Sequence, residues 1–334
     1  MAGGIWVVGE VDGAGALTKL SREAATAARA LGEASGREIL GVVVADEPDA
    51  AAASLADFLP NVLAVCAAEA AGRAAAAVVA SRVAALAAAA DASPAYFLLG
   101  ATPDGRDTAG MLSARLGIGV LANAISLAWE SATGVVPDGP RVEVQPWGGR
   151  IQTRSGFTAD AGIILLRPNM VTAAPLAARG RVADGPSGSV SDVPVVRVVE
   201  RVVVESPGPS VEEARVIVSG GRGVGGPGGF VALAELAGLL GGAVGATRAA
   251  VDAGWAPYAI QIGQTGKTVK PALYLGFGVS GAIQHKVGMQ TSDTIVAVNS
   301  DPDAPIAEFA DLFVIGDQAA VVAALTAALR ARAG

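Results

Sequence analysis

Residues 263–299 decide the fold of this chain and read GQTGKTVKPALYLGFGVSGAIQHKVGMQTSDTIVAVN. Two apolar runs, Ala272–Phe277 and Thr294–Val298, have the composition of buried strands. They enclose a loop and a short helical start at Ser280–Met289, which holds the only histidine, His285. A strand, a short helix and a second strand predict part of an open α/β sheet. Ligands bind at the carboxyl ends of such strands, so we expect a site after Phe277.

The flanking sequence extends the same alternation of strands and helices. From about Val211 onward, the apolar periodicity predicts further strands at Ala214–Val218, Ala243–Ala246 and Leu312–Ile315, and helices at Phe230–Leu240 and Gln318–Arg330. Nearer the start, it predicts strands at Ile5–Val8, Ile39–Ala45, Val62–Val65 and Tyr96–Gly100, and helices at Thr18–Leu31, Ala68–Ala90 and Ala109–Leu116. This rhythm predicts parallel sheets covered by helices.

The middle of the chain reads differently. From Ala122, glycine and proline turns separate predicted strands at Ile125–Trp129, Arg141–Gln145, Arg150–Arg154, Gly162–Leu166 and Val193–Val204, and Arg179–Pro194 is predicted to be a surface loop. Ser206–Ser210 contains two prolines and a glycine and has the composition of a linker. We therefore predict two α/β domains, 1–206 and 207–334, each with a mostly parallel, Rossmann-like sheet.

Bulk composition excludes several classes of protein. The 334 residues are 52% hydrophobic and carry a net charge of −7, which argues against nucleic-acid binding because that requires a clustered basic face. The most apolar stretch, Ala74–Ala90, is interrupted by Arg82 and predicts an ordinary alanine-rich helix rather than a membrane span. Cys66 is the only cysteine, so an internal disulfide is excluded. With a strand starting at Ile5 there is no room for a signal peptide, and we expect a cytoplasmic protein.

A glycine-rich loop, Ser219–Gly226, joins a predicted strand to a predicted helix. Its glycines fit the spacing GxGxxG, which lets backbone N–H groups and a helix N-terminus approach a pyrophosphate. In a chain with 44 glycines this spacing is weak evidence, and an ordinary turn remains an alternative. Arg222 within the loop favours an anionic ligand.

Two further loops offer polar groups near strand ends. Thr247 and Arg248 follow the strand Ala243–Ala246 and could meet an anion, although Arg248 could equally be a solvated surface residue. The run Ile262–Thr268 resembles a P-loop, but Gln261 stands where the required glycine would be, which argues against nucleotide hydrolysis. Thr265, next to Gly263 and Gly266, suits donation to a planar heterocycle.

His285 has no second histidine or cysteine nearby, so a transition-metal site is not expected. The pairs Asp301/Asp303 and Asp311/Asp317 lie near prolines and are expected to cap turns. Ser280 and His285 lack an identifiable orienting carboxylate, so no serine-nucleophile set is predicted.

Four motifs stand in a characteristic order, the last followed by IVAVNSDPDAPI: SGGRG, GATRAAVDAGW, QIGQTGK and LYLGFGVSGAIQHKVGM. Together they resemble the alpha subunit of electron transfer flavoprotein. The resemblance is strong from about Arg215 to Asp317 and looser from Ile5 to about Arg201, where Leu99–Thr102 and Gly105–Asp107 match best.

The resemblance implies FAD in the C-terminal domain and a heterodimer with a beta subunit. It implies FAD contacts for Arg222, Thr247, Arg248, Ile262, Gly263, Gln264, Thr265, Ser280, Gly281, Ala282, Ile283, Gln284, His285, Asn299, Asp317 and Gln318. Within this set it places Arg248, Thr265 and His285 around the isoalloxazine ring, with Thr265 donating toward N5 and His285 near O2. Two positions depart from the family: Thr247 replaces a usual serine, and Gln318 a usual leucine.

These residue types suit a one-electron carrier. A cationic or donating group beside the N1/O2 side of a flavin stabilises the charge that reduction places there. Arg248 and His285 are therefore expected to tune the potential. The resemblance implies an electron carrier without substrate turnover of its own. It would pass electrons from dehydrogenases, such as the acyl-CoA dehydrogenases of fatty acid beta-oxidation, to a membrane quinone reductase or similar acceptor.

Two other functions compete with this reading. A Rossmann-type NAD-dependent oxidoreductase would use Gly221, Gly223 and Gly226, but it predicts an acid at the end of the next strand, and none occurs before Asp252. A non-redox regulator would bind AMP or ADP without flavin.

Overall fold

The computed structural model describes residues 3–90, 93–146, 151–186, 196–200, 210–212 and 214–333. These residues divide into two compact units, the first within residues 1–201 and the second within residues 202–334. Apart from Ser210, the predicted linker Ser206–Ser210 lies outside the described residues, as does the boundary between 206 and 207. The predicted strand Val193–Val204 lies largely outside them too.

The first unit is an α/β layer structure. Its strands are β1 (Ile5–Gly9), β2 (Ile39–Ala45), β3 (Asn61–Cys66), β4 (Tyr96–Gly100), β5 (Val120–Ala124), β6 (Ser126–Glu130), β7 (Gly139–Val144), β8 (Thr153–Gly156), β9 (Gly162–Leu166) and β10 (Arg181–Asp184). Its helices are α1 (Lys19–Ser35), α2 (Asp49–Leu55), α3 (Ala75–Ala89) and α4 (Pro103–Leu116). Seven strands form a parallel sheet in the order β10-β3-β2-β1-β4-β9-β5, and β6, β7 and β8 form a small antiparallel sheet.

Successive residues of β1 show why helices cover both faces of the large sheet. Ile5 and Val7 pack into one hydrophobic core with α1 and α2, whereas Trp6 and Val8 pack into another with α3 and α4. Because neighbouring side chains of a strand point to opposite faces, a continuous apolar strand requires cover on both. The predicted parallel α/β architecture is confirmed.

Several elements of the first unit differ from the sequence prediction, including α4, which begins at Pro103, six residues before the predicted helix Ala109–Leu116. The predicted helix Ala68–Ala90 is a single 3₁₀ turn, Ala68–Ala70, followed by α3, because Gly72 adopts φ 64° between them. The short helix α2 and the strand β5 were not predicted, and β10 lies inside the predicted loop Arg179–Pro194. All four β10 residues are exposed and pair with β3 only through their backbone, so no apolar pattern marks this strand.

The second unit holds the strands and helices that carry the candidate residues. Its strands are β11 (Val216–Gly220), β12 (Ala243–Ala246), β13 (Leu273–Phe277), β14 (Ile295–Asn299) and β15 (Leu312–Ile315), and its helices are α5 (Pro227–Leu239), α6 (Arg248–Asp252), α7 (Ile283–Met289) and α8 (Gln318–Ala333). The strands form one parallel sheet in the order β12-β11-β13-β14-β15. Helix α6 was not predicted, since five residues are too few for a periodic signal.

The strand order explains where a ligand can enter this unit. The chain passes from β11 to β12 on one side and later returns to β13 on the other side of β11. Open α/β sheets bind ligands at the carboxyl ends of the strands where such a reversal occurs, which here are β11 and β13. Helices α5 and α8 pack with Phe277 in a hydrophobic core on one face of the sheet. The core on the other face contains Tyr274 of β13 and Met289 of α7.

Candidate functional site

The sheet of the second unit brings the candidate residues to one edge. All five strands are parallel, so the loops that follow them gather at their carboxyl ends. The loop Gly221–Gly226 follows β11, Thr247 follows β12, Gly278–Ala282 follows β13, and Asp317 follows β15. Asn299 is the last residue of β14.

The loops after β11 and β13 touch through backbone atoms. The N–H of Gly221 donates to the Phe277 carbonyl at 2.9 Å, and the N–H of Gly223 donates to the Gly278 carbonyl at 3.1 Å. A Cβ placed on Gly221 would lie 2.1 Å from the Gly278 oxygen. Gly278 adopts φ 60°, and a Cβ there would lie 2.5 Å from the Cα of Gly223. These glycines are therefore required by close backbone approach as well as by conformation.

The first turn of α5 faces open space. Gly226 precedes Pro227, the first helical residue, and supplies no side-chain cap. Gly225 and Gly226 adopt positive φ values, and no heavy atom lies within 4 Å of where their Cβ atoms would be. Pro227 has no N–H, and the Gly229 N–H donates to the Gly226 carbonyl at 3.1 Å, which leaves the Gly228 N–H as a first-turn donor for an anion. Arg222, in the same loop, is exposed and makes no ion pair with any described residue.

Thr247 and Arg248 lie at the start of α6. The Thr247 backbone N–H donates to the Gly220 carbonyl at 3.0 Å, which ties this loop to the end of β11. The Thr247 hydroxyl oxygen is buried and has no hydrogen-bond partner within the described part of the chain. A buried, unmade hydrogen bond costs about 1–3 kcal/mol, so the hydroxyl is suited to a ligand. The Arg248 side chain is 65% exposed and pairs with Asp252, its Nε lying 3.3 Å from Oδ2.

The segment 261–267 forms a turn whose exposed tip is Gln264 and Thr265. The Gln261 side-chain amide donates to the Thr265 hydroxyl oxygen at 3.1 Å, which leaves the hydroxyl proton free to donate elsewhere. The Tyr258 hydroxyl donates to the Thr265 carbonyl at 2.7 Å and supports the tip from outside. Lys267 pairs with Glu212, the two charged atoms lying 2.7 Å apart.

The segment 278–284 is also shaped by its backbone. Gly281 adopts φ 83°, and a Cβ there would lie 2.4 Å from the Ile306 nitrogen. The Asn299 side-chain amide donates to the Val279 carbonyl at 3.0 Å and holds this loop against the end of β14. Four of its residues stand exposed along the edge: Ser280, Ala282, Ile283 and Gln284.

His285 is buried, and both of its ring nitrogens are engaged within the protein. Nδ1 lies 3.0 Å from the Ile262 carbonyl oxygen, and Nε2 lies 2.6 Å from the Tyr274 hydroxyl. Burial lowers the pKa of His285 to about 4, against a smaller opposing effect of the Ile262 carbonyl. The imidazole is therefore neutral at pH 7. The neutral ring adds no positive charge, and donation to a cofactor, which the resemblance implies, would require one of these bonds to be replaced.

This depressed pKa makes stability depend on pH. The unfolded chain takes up a proton on His285 near pH 6.5, but the folded chain does so only near pH 4. Between these values the unfolded state binds more protons, so stability falls as the pH is lowered through this window. We expect His285→Asn to unfold at a lower temperature than the wild type at pH 7, with the difference narrowing towards pH 4. A difference in thermal midpoint that is constant over this range would contradict a buried neutral histidine.

Asp317 and Gln318 begin α8 and face the glycine-rich loop. An Asp317 carboxylate oxygen accepts the Ala320 N–H at 2.8 Å and caps the helix. The Gln318 side-chain amide donates to the Gly223 carbonyl, while its own oxygen is buried without a partner among the described residues. A cleft of about 520 Å³ continues from here between α5 and α8, lined by small and apolar side chains such as Leu233, Ala319 and Val322.

The candidate residues are joined through Ile262. Its N–H donates to the Ala246 carbonyl at 2.9 Å, one residue before Thr247, and its carbonyl faces His285. Sequence reasoning missed Gln261 and Tyr274, which contact Thr265 and His285. Gln261 lies within the quoted QIGQTGK run, but Tyr274 is 11 residues from His285 and reads as an ordinary strand residue.

Metal-binding clusters and membrane-spanning helices are both absent from the described residues. Within those ranges no cluster of three or more histidine, cysteine, aspartate or glutamate residues is arranged to hold a metal ion. No described helix combines the length and the apolar character needed to span a membrane.

Comparison with known proteins gives consistent matches over nearly the whole chain. Residues 5–185 match the model of the electron transfer flavoprotein domain, and residues 210–290 match that of the electron transfer flavoprotein FAD-binding domain. Electron transfer flavoprotein subunit alpha of Mycobacterium leprae is 41% identical over 329 residues, covering 96% of both chains. The subunit of the same name from Mycobacterium tuberculosis is 40% identical over 328 residues, with the same coverage. Protein FixB of Clostridium saccharobutylicum is 39% identical over 233 residues, covering 67% of this chain and 66% of that protein.

Proposed function

The chain belongs to the electron transfer flavoprotein family as an alpha subunit, and from this premise we propose that it holds FAD at the carboxyl edge of its five-stranded sheet. FAD is the cofactor of the C-terminal domain that the chain matches. When bound, it supplies a ring system that accepts and releases electrons singly. The function is electron transport, and the NAD-dependent alternative is not favoured, since the first acid after β12 is Asp252 and it pairs with Arg248.

The observation that carries the assignment of the site is the pair of touching glycine loops beside an uncapped helix. A dinucleotide pyrophosphate needs close backbone approach, which Gly221 and Gly223 allow, and donors, of which the Gly228 N–H at the start of α5 is one. The exposed Arg222 adds a cation that can bind a phosphate in a bidentate manner. The orphaned hydroxyl of Thr247 and the orphaned amide oxygen of Gln318 add buried polar atoms that lack partners. This donor set fits FAD.

We assign the remaining contacts by position along the same edge. The exposed tips of the loops at 262–265 and 280–284 present backbone and small polar groups, and Asn299, Asp317 and Gln318 close the far end of the edge. Thr265 offers a hydroxyl donor, because Gln261 occupies its oxygen and leaves the proton free. Arg248 is the cation next to Thr247 in this set. Its exposed guanidinium can turn toward a bound flavin ring, and the ion pair with Asp252 limits how far the side chain moves.

An alpha subunit implies a beta subunit as its partner, and the family is one of electron carriers. We further propose that the pair has no substrate turnover of its own and works in the cytoplasm. Its donors would be dehydrogenases, including acyl-CoA dehydrogenases, and its acceptor a membrane quinone reductase or a comparable protein. What supports this proposal is the similarity to relatives named electron transfer flavoprotein subunit alpha over 96% of the chain.

Co-expression with its beta subunit tests the site and the function together. We expect a yellow heterodimer whose visible spectrum is that of bound flavin and whose flavin is released as FAD on denaturation. We expect Thr247→Val, which is isosteric but lacks the hydroxyl, to lower FAD affinity by about two- to tenfold, and Thr247→Ser to retain it. A heterodimer that is colourless after reconstitution with FAD would contradict the proposal.

A further inference from the structure

Tyr274 is a buried residue to which the electron-carrier function assigns no role. It lies on β13 with its side chain fully buried, and its hydroxyl oxygen is 2.6 Å from His285 Nε2. The other ring nitrogen of His285 lies 3.0 Å from the Ile262 carbonyl oxygen. Three separate segments, namely β13, α7 and the loop after residue 261, are therefore connected by one line of hydrogen bonds.

The chemistry of the groups fixes the direction of both bonds. A carbonyl oxygen can only accept, so Nδ1 of His285 must carry the proton. A neutral imidazole then has a lone pair at Nε2, and the Tyr274 hydroxyl must donate to it. Burial raises the pKa of Tyr274, which keeps the hydroxyl protonated and able to donate. The directions are mutually consistent, and every polar atom in the line is satisfied.

The line ends on the loop that bears Thr265. The Gln264 N–H donates to the Gln284 carbonyl at 2.7 Å, and a Cβ on Gly288 would lie 2.4 Å from the Gly263 nitrogen. The two loops that form the middle of the proposed FAD site thus pack backbone against backbone. The His285 ring joins these two loops through a side-chain hydrogen bond, and the hydrogen bond with Tyr274 sets the orientation of the ring.

We propose that Tyr274 is a positioning residue for the flavin site: its hydroxyl holds His285 as the Nδ1–H tautomer on the Ile262 carbonyl and so fixes residues 262–265 against α7. The inference rests on the proposed function for its link to FAD. It gives His285 a role in which the ring orients the backbone beneath the cofactor.

The single histidine makes the hydrogen bonds directly observable. With ¹⁵N-histidine in this chain and an unlabelled, untagged beta subunit, every histidine signal in an NMR spectrum of the heterodimer comes from His285. We expect a protonated Nδ1 and an unprotonated Nε2 at pH 7. In Tyr274→Phe, the Nε2 resonance should move toward that of a nitrogen with no donor, while Nδ1 stays protonated. Tyr96→Phe is the matched control, since it removes a buried phenol hydroxyl from the other unit and should leave both resonances unchanged.

The effect on the cofactor is measured by FAD affinity. A lost hydrogen bond of about 0.5–1.5 kcal/mol corresponds to a two- to twelvefold rise in the FAD dissociation constant of Tyr274→Phe. His285→Asn keeps a donor near Nδ1 but removes the acceptor for Tyr274. Because both residues act through one line of bonds, the double variant should be less impaired than the product of the two single effects.

Several results would overturn the inference while leaving the function intact. A yellow wild-type heterodimer with a protonated Nε2 would do so, as would a Tyr274→Phe variant whose histidine resonances and FAD affinity match those of Tyr96→Phe. Strictly multiplicative effects in the double variant would also overturn it. A heterodimer that binds no FAD contradicts the proposed function instead, and the histidine spectrum of that protein still tests the tautomer.

Discussion

Gly278→Ala is expected to abolish FAD retention. Gly278 adopts φ 60°, where a side chain costs about 1–3 kcal/mol in backbone strain. The added carbon would also lie 2.5 Å from the Cα of Gly223, a distance that neither backbone can accommodate without moving. Separating the two loops removes the Gly223 N–H from the Gly278 carbonyl and disorganises the proposed pyrophosphate cradle. We expect at least a hundredfold loss of FAD affinity, measured by titrating the apo-heterodimer with FAD.

Gly254→Ala is the matched control for this experiment. Gly254 adopts φ 74°, so alanine meets comparable strain, but no heavy atom of the described residues lies within 4 Å of the position of its Cβ. This variant should bind FAD nearly as well as the wild type while losing some thermal stability. Equal losses of FAD in the two variants would show that strain alone is responsible, and the contact between the loops would then have no special role.

Arg248→Ala is expected to lower the first one-electron reduction potential of the bound flavin by about 65–130 mV. A charge-assisted hydrogen bond contributes roughly 1.5–3 kcal/mol, and a tenfold change in equilibrium corresponds to about 59 mV for one electron. The guanidinium is 65% exposed in this chain, so solvent screening favours the lower value unless the beta subunit covers it. A spectroelectrochemical titration of the heterodimer measures the shift.

Two variants separate charge from geometry at this position. Arg248→Lys keeps the positive charge but loses the planar fork, and we expect it to recover about half of the shift. Arg215→Ala removes another exposed arginine of the same unit and should leave the potential unchanged. If Arg248→Ala leaves the potential within a few millivolts of the wild type, Arg248 does not tune the flavin.

The elements of the second unit were predictable because its strands are continuous apolar runs. The predicted bounds of β12 and β15 coincide with the observed ones. The predicted β13 begins one residue too early, and both ends of the predicted β14 lie one residue before the observed ends. Apolar periodicity does not predict a strand or helix whose side chains are not buried in a regular pattern. The β10 strand is held by backbone pairing at an exposed edge, and α6 is too short to show a stripe.

The gathering of glycines and polar residues at the carboxyl edge of the sheet was predictable from the sequence, but the hydrogen bonds among them were not. Glycine spacing and the position of Thr265 can be read from the chain, whereas the partner of a polar group cannot. His285 illustrates this limit: the sequence did not indicate its hydrogen-bond partners, which are Tyr274 on a strand and Ile262 in a distant loop. Gln261 contacts Thr265 within the same turn, but the sequence does not indicate that its side-chain amide donates to the Thr265 hydroxyl oxygen.

The neutrality of His285 has a consequence for how the carrier behaves in a living cell. Arginine side chains remain cationic at every physiological pH, and His285 stays uncharged until the medium is far more acidic than cytoplasm. On the proposed assignment of the flavin site, we expect the charges that these side chains place near the cofactor to stay the same when a cell acidifies. The part of the flavin potential that they set should therefore not change with cellular proton concentration.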